Sequence, residues 1–201
     1  MSERDERRAQ RKFDPARAEL LDAPERDSYL PDAPLIELLA LRGDETVVDY
    51  GAGTGRLAIA AARRLGTGGR VIALDESEEM LARLRERLSP EDGPVEPLLI
   101  AENRVPLADA SVDRLIAVSL LHEVRGETAL SEMRRLLRPA GLLLVADWAR
   151  GRDPQRSIGP PEGILYTEEE AAGELERAGF EVEHVDGFPY HFVLLGRPRA
   201  G

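Results

Sequence analysis

The chain contains no cysteine, which removes disulfides, thiolate metal sites and any cysteine nucleophile together. Only three histidines are present, His122, His184 and His191, too few and too scattered for a zinc cage. Lys12 is the only lysine, and the formal net charge of −11 argues against broad adhesion to nucleic acid phosphates. No apolar run approaches the roughly 20 residues needed to cross a bilayer. The opening MSERDERRAQRKFDP lacks the apolar stretch of a secretory signal. A cytoplasmic protein with no membrane or nucleic acid partner is expected.

What remains is 201 residues, enough for one sizeable core, and a regular alternation of strand and helix signals. PLIELLAL (34–41) reads as the end of a short helix stopped by Gly43. TVVDY is a buried strand, and TGRLAIAAARRL a helix with its apolar face at Leu57, Ala58, Ala61 and Leu65. VIALD follows as a second strand, then SEEMLARLRERL as a helix capped by Ser77. VEPLLIA is a third strand, with Pro97 unusual near its start, and DRLIAVSLL a fourth. ETALSEMRRLLR is a helix ending at Pro139, and GLLLVADW a fifth strand. After a Pro/Gly-rich loop (150–163), TEEEAAGELERAG is a helix capped by Thr167, and FEVEHVDG and YHFVLLG are two final strands. Such alternation implies an α/β fold, a doubly wound, seven-stranded, mostly parallel sheet with one antiparallel edge strand from the terminal hairpin. Residues 1–33 are expected to be an N-terminal lid or partly disordered segment, and 34–201 the catalytic domain.

The stretch VVDYGAGTGRLAIA concentrates the chemistry. Its glycines follow a strand and open a helix, the setting in which a glycine turn meets a ligand. Gly51 and Gly53 permit positive φ or close backbone approach, and Gly55 lets the helix pack on the sheet. A tight turn without ligand is the competing reading. A dinucleotide fingerprint would place its third glycine at Arg56, and a phosphate-binding loop would need Gly-Lys-Ser/Thr. Asp49, ahead of the glycines, would repel a pyrophosphate but suits a ligand with an ammonium group and a positive centre. Asp75, closing the second strand, can accept hydrogen bonds from two ribose hydroxyls.

With these residues the chain resembles class I S-adenosylmethionine-dependent methyltransferases of the ubiquinone/menaquinone-biosynthesis type. VVDYGAGTGRLAIA is similar to their first motif, VIALDESEEML to the acidic loop, AENRVPLADASVD to the segment after the third strand, and LLRPAGLLLVADW to the fifth strand. The flanking KFDPARAELLDAPERDSYLP and IGPPEGILYTEEEAAGELERAGF resemble a small prokaryotic subgroup whose acceptor is undefined. The resemblance implies S-adenosylmethionine as cofactor, S-adenosylhomocysteine as product, and a monomer or homodimer acting on a small-molecule acceptor. It implies cofactor contacts at Asp49, Gly51, Ala52, Gly53, Gly55, Asp75, Glu76, Met80 and Ser119, and at Tyr29 from the lid. The adenine contact falls to Glu102 or Asn103, because Ala101 stands where relatives carry an acid. No metal is implied, and arsenite methylation, which needs cysteines, is excluded.

On the acceptor side, residues after the fourth and fifth strands face the site in such a sheet. His122 is the candidate general base, or else a hydrogen-bonded loop histidine. Glu123, Asp147, Trp148 and Tyr190 complete the expected substrate pocket with it. Of Tyr190 and His191, alternation sends one inward, and packing was the simpler role for this pair. A non-catalytic cofactor-binding protein is the alternative from another class.

Overall fold

The computed structural model describes residues 12–101, 104–124, 126–153 and 155–200. Seven strands form one sheet: β1 (Thr46–Tyr50), β2 (Arg70–Asp75), β3 (Val95–Leu99), β4 (Val112–Val118), β5 (Leu137–Trp148), β6 (Phe180–Val185) and β7 (His191–Pro198). Their order is β3-β2-β1-β4-β5-β7-β6. β7 runs antiparallel to both β5 and β6, and the remaining pairings are parallel. The chain therefore reverses its direction of travel across the sheet between β1 and β4, the place where open α/β sheets bind ligands.

Alternation along each strand divides the core in two. Val48, Tyr50, Ile72, Leu74, Leu115 and Ala117 pack under α4 (Gly126–Leu136) and α5 (Glu168–Arg177). Val47, Val71, Ala73, Ile116 and Val118 pack under α1 (Asp32–Leu38), α2 (Arg56–Ala62) and α3 (Glu78–Arg87). The caps follow the side chains available. Ser77 accepts from Met80 N at 3.3 Å, and Thr167 forms a reciprocal capping box with Glu170.

Two boundaries differ from the sequence pattern. α4 ends at Leu136 rather than Pro139, and β5 begins at Leu137. Between the pairs Val112–Leu137 and Arg114–Leu142 the register shifts, so Arg138, Pro139 and Ala140 bulge into solvent, where proline breaks no ladder. Pro97 is accommodated because β3 is the sheet's edge strand.

The segment before α1 forms two short 3-10 turns, Pro15–Leu20 and Pro24–Ser28. It is anchored by buried Ala18 and Leu30 and by polar ties to the glycine turn. Thr54 Oγ1 donates to Asp22 Oδ1 at 2.8 Å, Arg56 Nε donates to Asp32 Oδ2 at 2.6 Å, and the Arg56 guanidinium also pairs with Asp27. Among the described residues no helix is long and apolar enough to cross a membrane.

Candidate active site

The carboxyl ends of β1, β2, β4 and β5 open into a cavity of about 860 Å³, roofed by the N-terminal segment and by the stretch around Gly159–Ile164. All three glycines of the turn hold positive φ: +78° at Gly51, +54° at Gly53 and +82° at Gly55. Gly51 and Gly53 line the cavity; Gly55 does not. A Cβ on Gly53 would meet only Leu21 Cδ1, at 3.3 Å, so its bare backbone faces open space. On Gly55 the same atom would lie 2.0 Å from Leu84 Cδ1, so this glycine serves the contact between α2 and α3.

Asp75 Oδ2 accepts from Gly53 N at 2.8 Å, and Oδ1 accepts from Ser77 N at 2.8 Å. One carboxylate at the end of β2 thus shapes the turn after β1 and starts α3. Burial pushes its pKa upward against these hydrogen bonds. Asp49 is 3% exposed on the α2 side of β1, and the Ala58 backbone N–H donates to it. Burial, reinforced by the negative charge of Asp75, raises Asp49 to about 7.

A second polar group in the cavity wall centres on His122, in the turn after β4. Asp147 Oδ1 lies 2.7 Å from His122 Nδ1, and Asp147 Oδ2 accepts from His122 N at 3.0 Å. Asp147 Oδ1 also accepts from Trp148 N at 2.7 Å. His122 is 4% exposed and Asp147 1% exposed, so ring and carboxylate are held rigidly out of water. Glu123 Oε1 lies 3.7 Å from His122 Nε2, and burial raises Glu123 to about 7 despite the neighbouring histidine. Beside this group Trp148 packs 4.3 Å from the His191 ring and 5.5 Å from Tyr29, measured between centroids. The Arg156 guanidinium sits 5.0 Å over the Trp148 ring and holds the covering loop through the carbonyls of Ile158 and Pro160.

Of the residues expected from sequence, Asp49, Gly51, Ala52, Gly53, Asp75 and Glu76 line the cavity. So do Tyr29, Met80, Ser119, His122, Glu123 and Trp148. Ser119 holds φ +55°, a left-handed conformation rare for a side-chain-bearing residue, directly after β4. Gly55, Asp147 and Tyr190 are not lining residues. Gly55 packs against Leu84, Asp147 lies behind His122, and Tyr190 stacks on Trp148 at 6.2 Å. Glu102 and Asn103 lie outside the described residues. Sequence reasoning missed Arg26, which lines the cavity from the N-terminal segment, and assigned His191 to packing. Nothing in the charge-rich stretch around Arg26 marks it out. His191 turns inward because β7 pairs it with Trp148 of β5, a register that alternation alone does not specify. Among the described residues no cluster of three His, Cys, Asp or Glu side chains could hold a metal ion.

This fold and site define a class: the chain belongs to the class I S-adenosylmethionine-dependent methyltransferases. The methyltransferase-domain family model matches residues 47–141. The crystal structure of a SAM-dependent methyltransferase from Aquifex aeolicus superposes with a TM-score of 0.84 at 31% identity, covering 92% of this chain and 98% of that one. Among curated relatives, the ubiquinone/menaquinone biosynthesis C-methyltransferase of Bordetella avium is 38% identical over 110 residues, 54% of this chain and 43% of its own length. Its counterpart from Hydrogenovibrio crunogenus is 31% identical over 149 residues, 68% of this chain and 59% of its own. The chain spans about half the length of the curated relatives it matches.

Proposed function

We propose that the chain transfers a methyl group from S-adenosylmethionine to a small-molecule acceptor. The observation carrying this reading is the joint placement of Asp75, the bare Gly53 backbone and buried Asp49 on one wall of the cavity, with His122 on another. The donor set fits the cofactor piece by piece. Asp75 retains lone pairs for ribose hydroxyls, Gly51 and Gly53 admit close approach of the methionine chain, and Asp49 in its ionised form balances an ammonium. Met80 offers an apolar surface to the adenine, whose amino group is assigned to Glu102 or Asn103. Tyr29 closes over the methionine end.

When bound, S-adenosylmethionine supplies an electrophilic methyl group on a positively charged sulfur, leaving S-adenosylhomocysteine. The chain's own contribution is alignment and exclusion of water. His122, oriented by Asp147, takes the proton released by the acceptor, and Glu123 stands beside it as a second proton holder. The segment before α1 and the loop over Trp148 serve as lids, and this enclosure favours a small acceptor over a macromolecular one. The activity of the curated relatives, C-methylation in ubiquinone/menaquinone biosynthesis, also concerns small molecules.

Calorimetry tests the cofactor half of the reading. S-adenosylmethionine and S-adenosylhomocysteine are expected to bind, and Gly53→Val to abolish binding while the chain stays folded. Binding of a nicotinamide cofactor in their place overturns the reading.

A further inference from the structure

Three side chains in the cavity wall, Arg26, Tyr50 and His191, carry polar atoms left without partners among the described residues. Both ring nitrogens of His191 are sealed from solvent with no hydrogen-bond partner among the described residues, and the whole residue is 0% exposed. The same holds for Arg26 Nε. Both residues line the cavity, and the Arg26 charge is one of those acting on the His191 ring. Burying a donor without a partner carries a desolvation penalty that no interaction in the fold repays. Arg26 and His191, close enough for the one charge to act on the other's ring, therefore point to a ligand that supplies what the fold does not.

The surroundings select the ligand's chemistry. The His191 ring lies parallel to Tyr29 at 5.8 Å and against Trp148 at 4.3 Å, so the site is walled by flat apolar faces. Burial first, and then Arg26, Arg152 and Arg156, hold His191 neutral, with its pKa lowered to about 3. Arg152 spends its guanidinium on the carbonyls of Phe188 and His191 and on Glu168. Arg156 spends its own on Ile158, Pro160 and Glu162. The acidic groups nearby are Asp147, whose oxygens are engaged by His122 and Trp148, and Asp49, on which the Arg26 charge acts. Asp32 and Asp22 also act on Arg26 but are engaged by Arg56 and Thr54. Burial and the Arg56 cation pull the Arg26 pKa down, outweighing the opposing influence of Asp32, Tyr29 and Asp22.

We propose that Arg26 and His191 form a carboxylate subsite in the cavity, their side chains turning as the anion enters so that Arg26 Nε–H and the imidazole N–H each donate to it. This rests on the methyltransferase reading for the identity of the cavity. The carboxylate has two sources, a planar carboxylic acid acting as methyl acceptor or the amino-acid end of the cofactor itself. His191 sits on β7, three strand positions from the glycine turn after β1, which favours the acceptor. The influence of Arg26 on Asp49 and the stacking of His191 on Tyr29 favour the cofactor, and the test separates the two.

The test measures binding by calorimetry to the full chain and to its Arg26→Met and His191→Phe variants. The probes are benzoate, benzyl alcohol, S-adenosylhomocysteine and 5′-methylthioadenosine, the last lacking the amino-acid end. If the acceptor supplies the carboxylate, benzoate binds the wild-type chain and benzyl alcohol does not. Arg26→Met then loses about tenfold or more in benzoate affinity, the scale of one charge-assisted hydrogen bond. If the cofactor supplies it, S-adenosylhomocysteine weakens by a similar factor in Arg26→Met while 5′-methylthioadenosine does not. If neither benzoate nor S-adenosylhomocysteine depends on Arg26, the subsite is wrong. Arg26 lies on a 3-10 turn outside the sheet, so its variant carries the test even if His191→Phe fails to fold. Arg26-dependent benzoate binding in a chain that ignores S-adenosylhomocysteine would sink the cofactor reading and leave the subsite standing.

Discussion

Gly55→Ala separates packing from binding within one short turn. The new Cβ would lie 2.0 Å from Leu84 Cδ1, 2.9 Å from its Cγ and 3.1 Å from its Cδ2. Leu84 is 0% exposed and belongs to the cluster that joins α2 and α3 to the sheet, so it has no free volume to enter. Overpacking of this kind costs about 1–3 kcal/mol. Holding a non-glycine residue at φ +82° adds about 1–2 kcal/mol. The expected loss is therefore about 2–5 kcal/mol, a large part of the ~5–15 kcal/mol available to a domain of this kind. Urea denaturation should show a lower midpoint with an unchanged slope. Calorimetry on the folded variant should find S-adenosylhomocysteine affinity within a few-fold of wild type, since Gly55 does not line the cavity. Full stability combined with lost cofactor binding would refute the reasoning, because it would make Gly55 a contact residue rather than a packing one.

Three further outcomes are expected. Asp75→Ala should weaken S-adenosylhomocysteine binding by roughly 1–3 kcal/mol and should also speed amide exchange at Gly53 and Ser77, whose N–H groups it accepts; unchanged affinity by calorimetry counts against the ribose assignment. Asp49 has its folded-state pKa raised to about 7, so the native state binds the extra proton and this group's contribution to stability falls as pH rises from about 4 to 7, then levels. Denaturation at pH 5 and pH 8 should show Asp49→Asn gaining most over wild type at the higher pH. Cofactor affinity should rise through the same window in wild type but not in that variant. Removing residues 1–21 deletes Leu21, the atom nearest the Gly53 Cβ position, together with buried Ala18. Stopped-flow should then record faster cofactor release, and an unchanged off-rate would argue against a lid.

The parts of the site legible in the sequence are those built by neighbours in the chain. A strand, a glycine turn and a helix start lie within residues 46–62, and positive φ at Gly51, Gly53 and Gly55 follows from that local crossing. Asp75 was legible because strand ends in an alternating α/β chain fall on one edge of the sheet. The helix-to-strand boundary at Leu137 was not, since only pairing with Val112 extends β5 backward past Pro139. Gly55 illustrates the difference within a single motif. Its spacing marked it as part of the turn, yet its purpose depends on Leu84, brought from α3.

The amino-acid order by itself thus determined the α/β class, the glycine turn, the acid at the end of β2 and the lack of any thiol chemistry, because composition, period and local spacing carry these. Tertiary structure alone decided that Asp147 grips His122 from an adjacent strand, that the register of β7 on β5 turns His191 inward, and that Arg26 reaches the cavity from the N-terminal segment. Each of these depends on register and on contacts between distant parts of the chain, which no local pattern encodes.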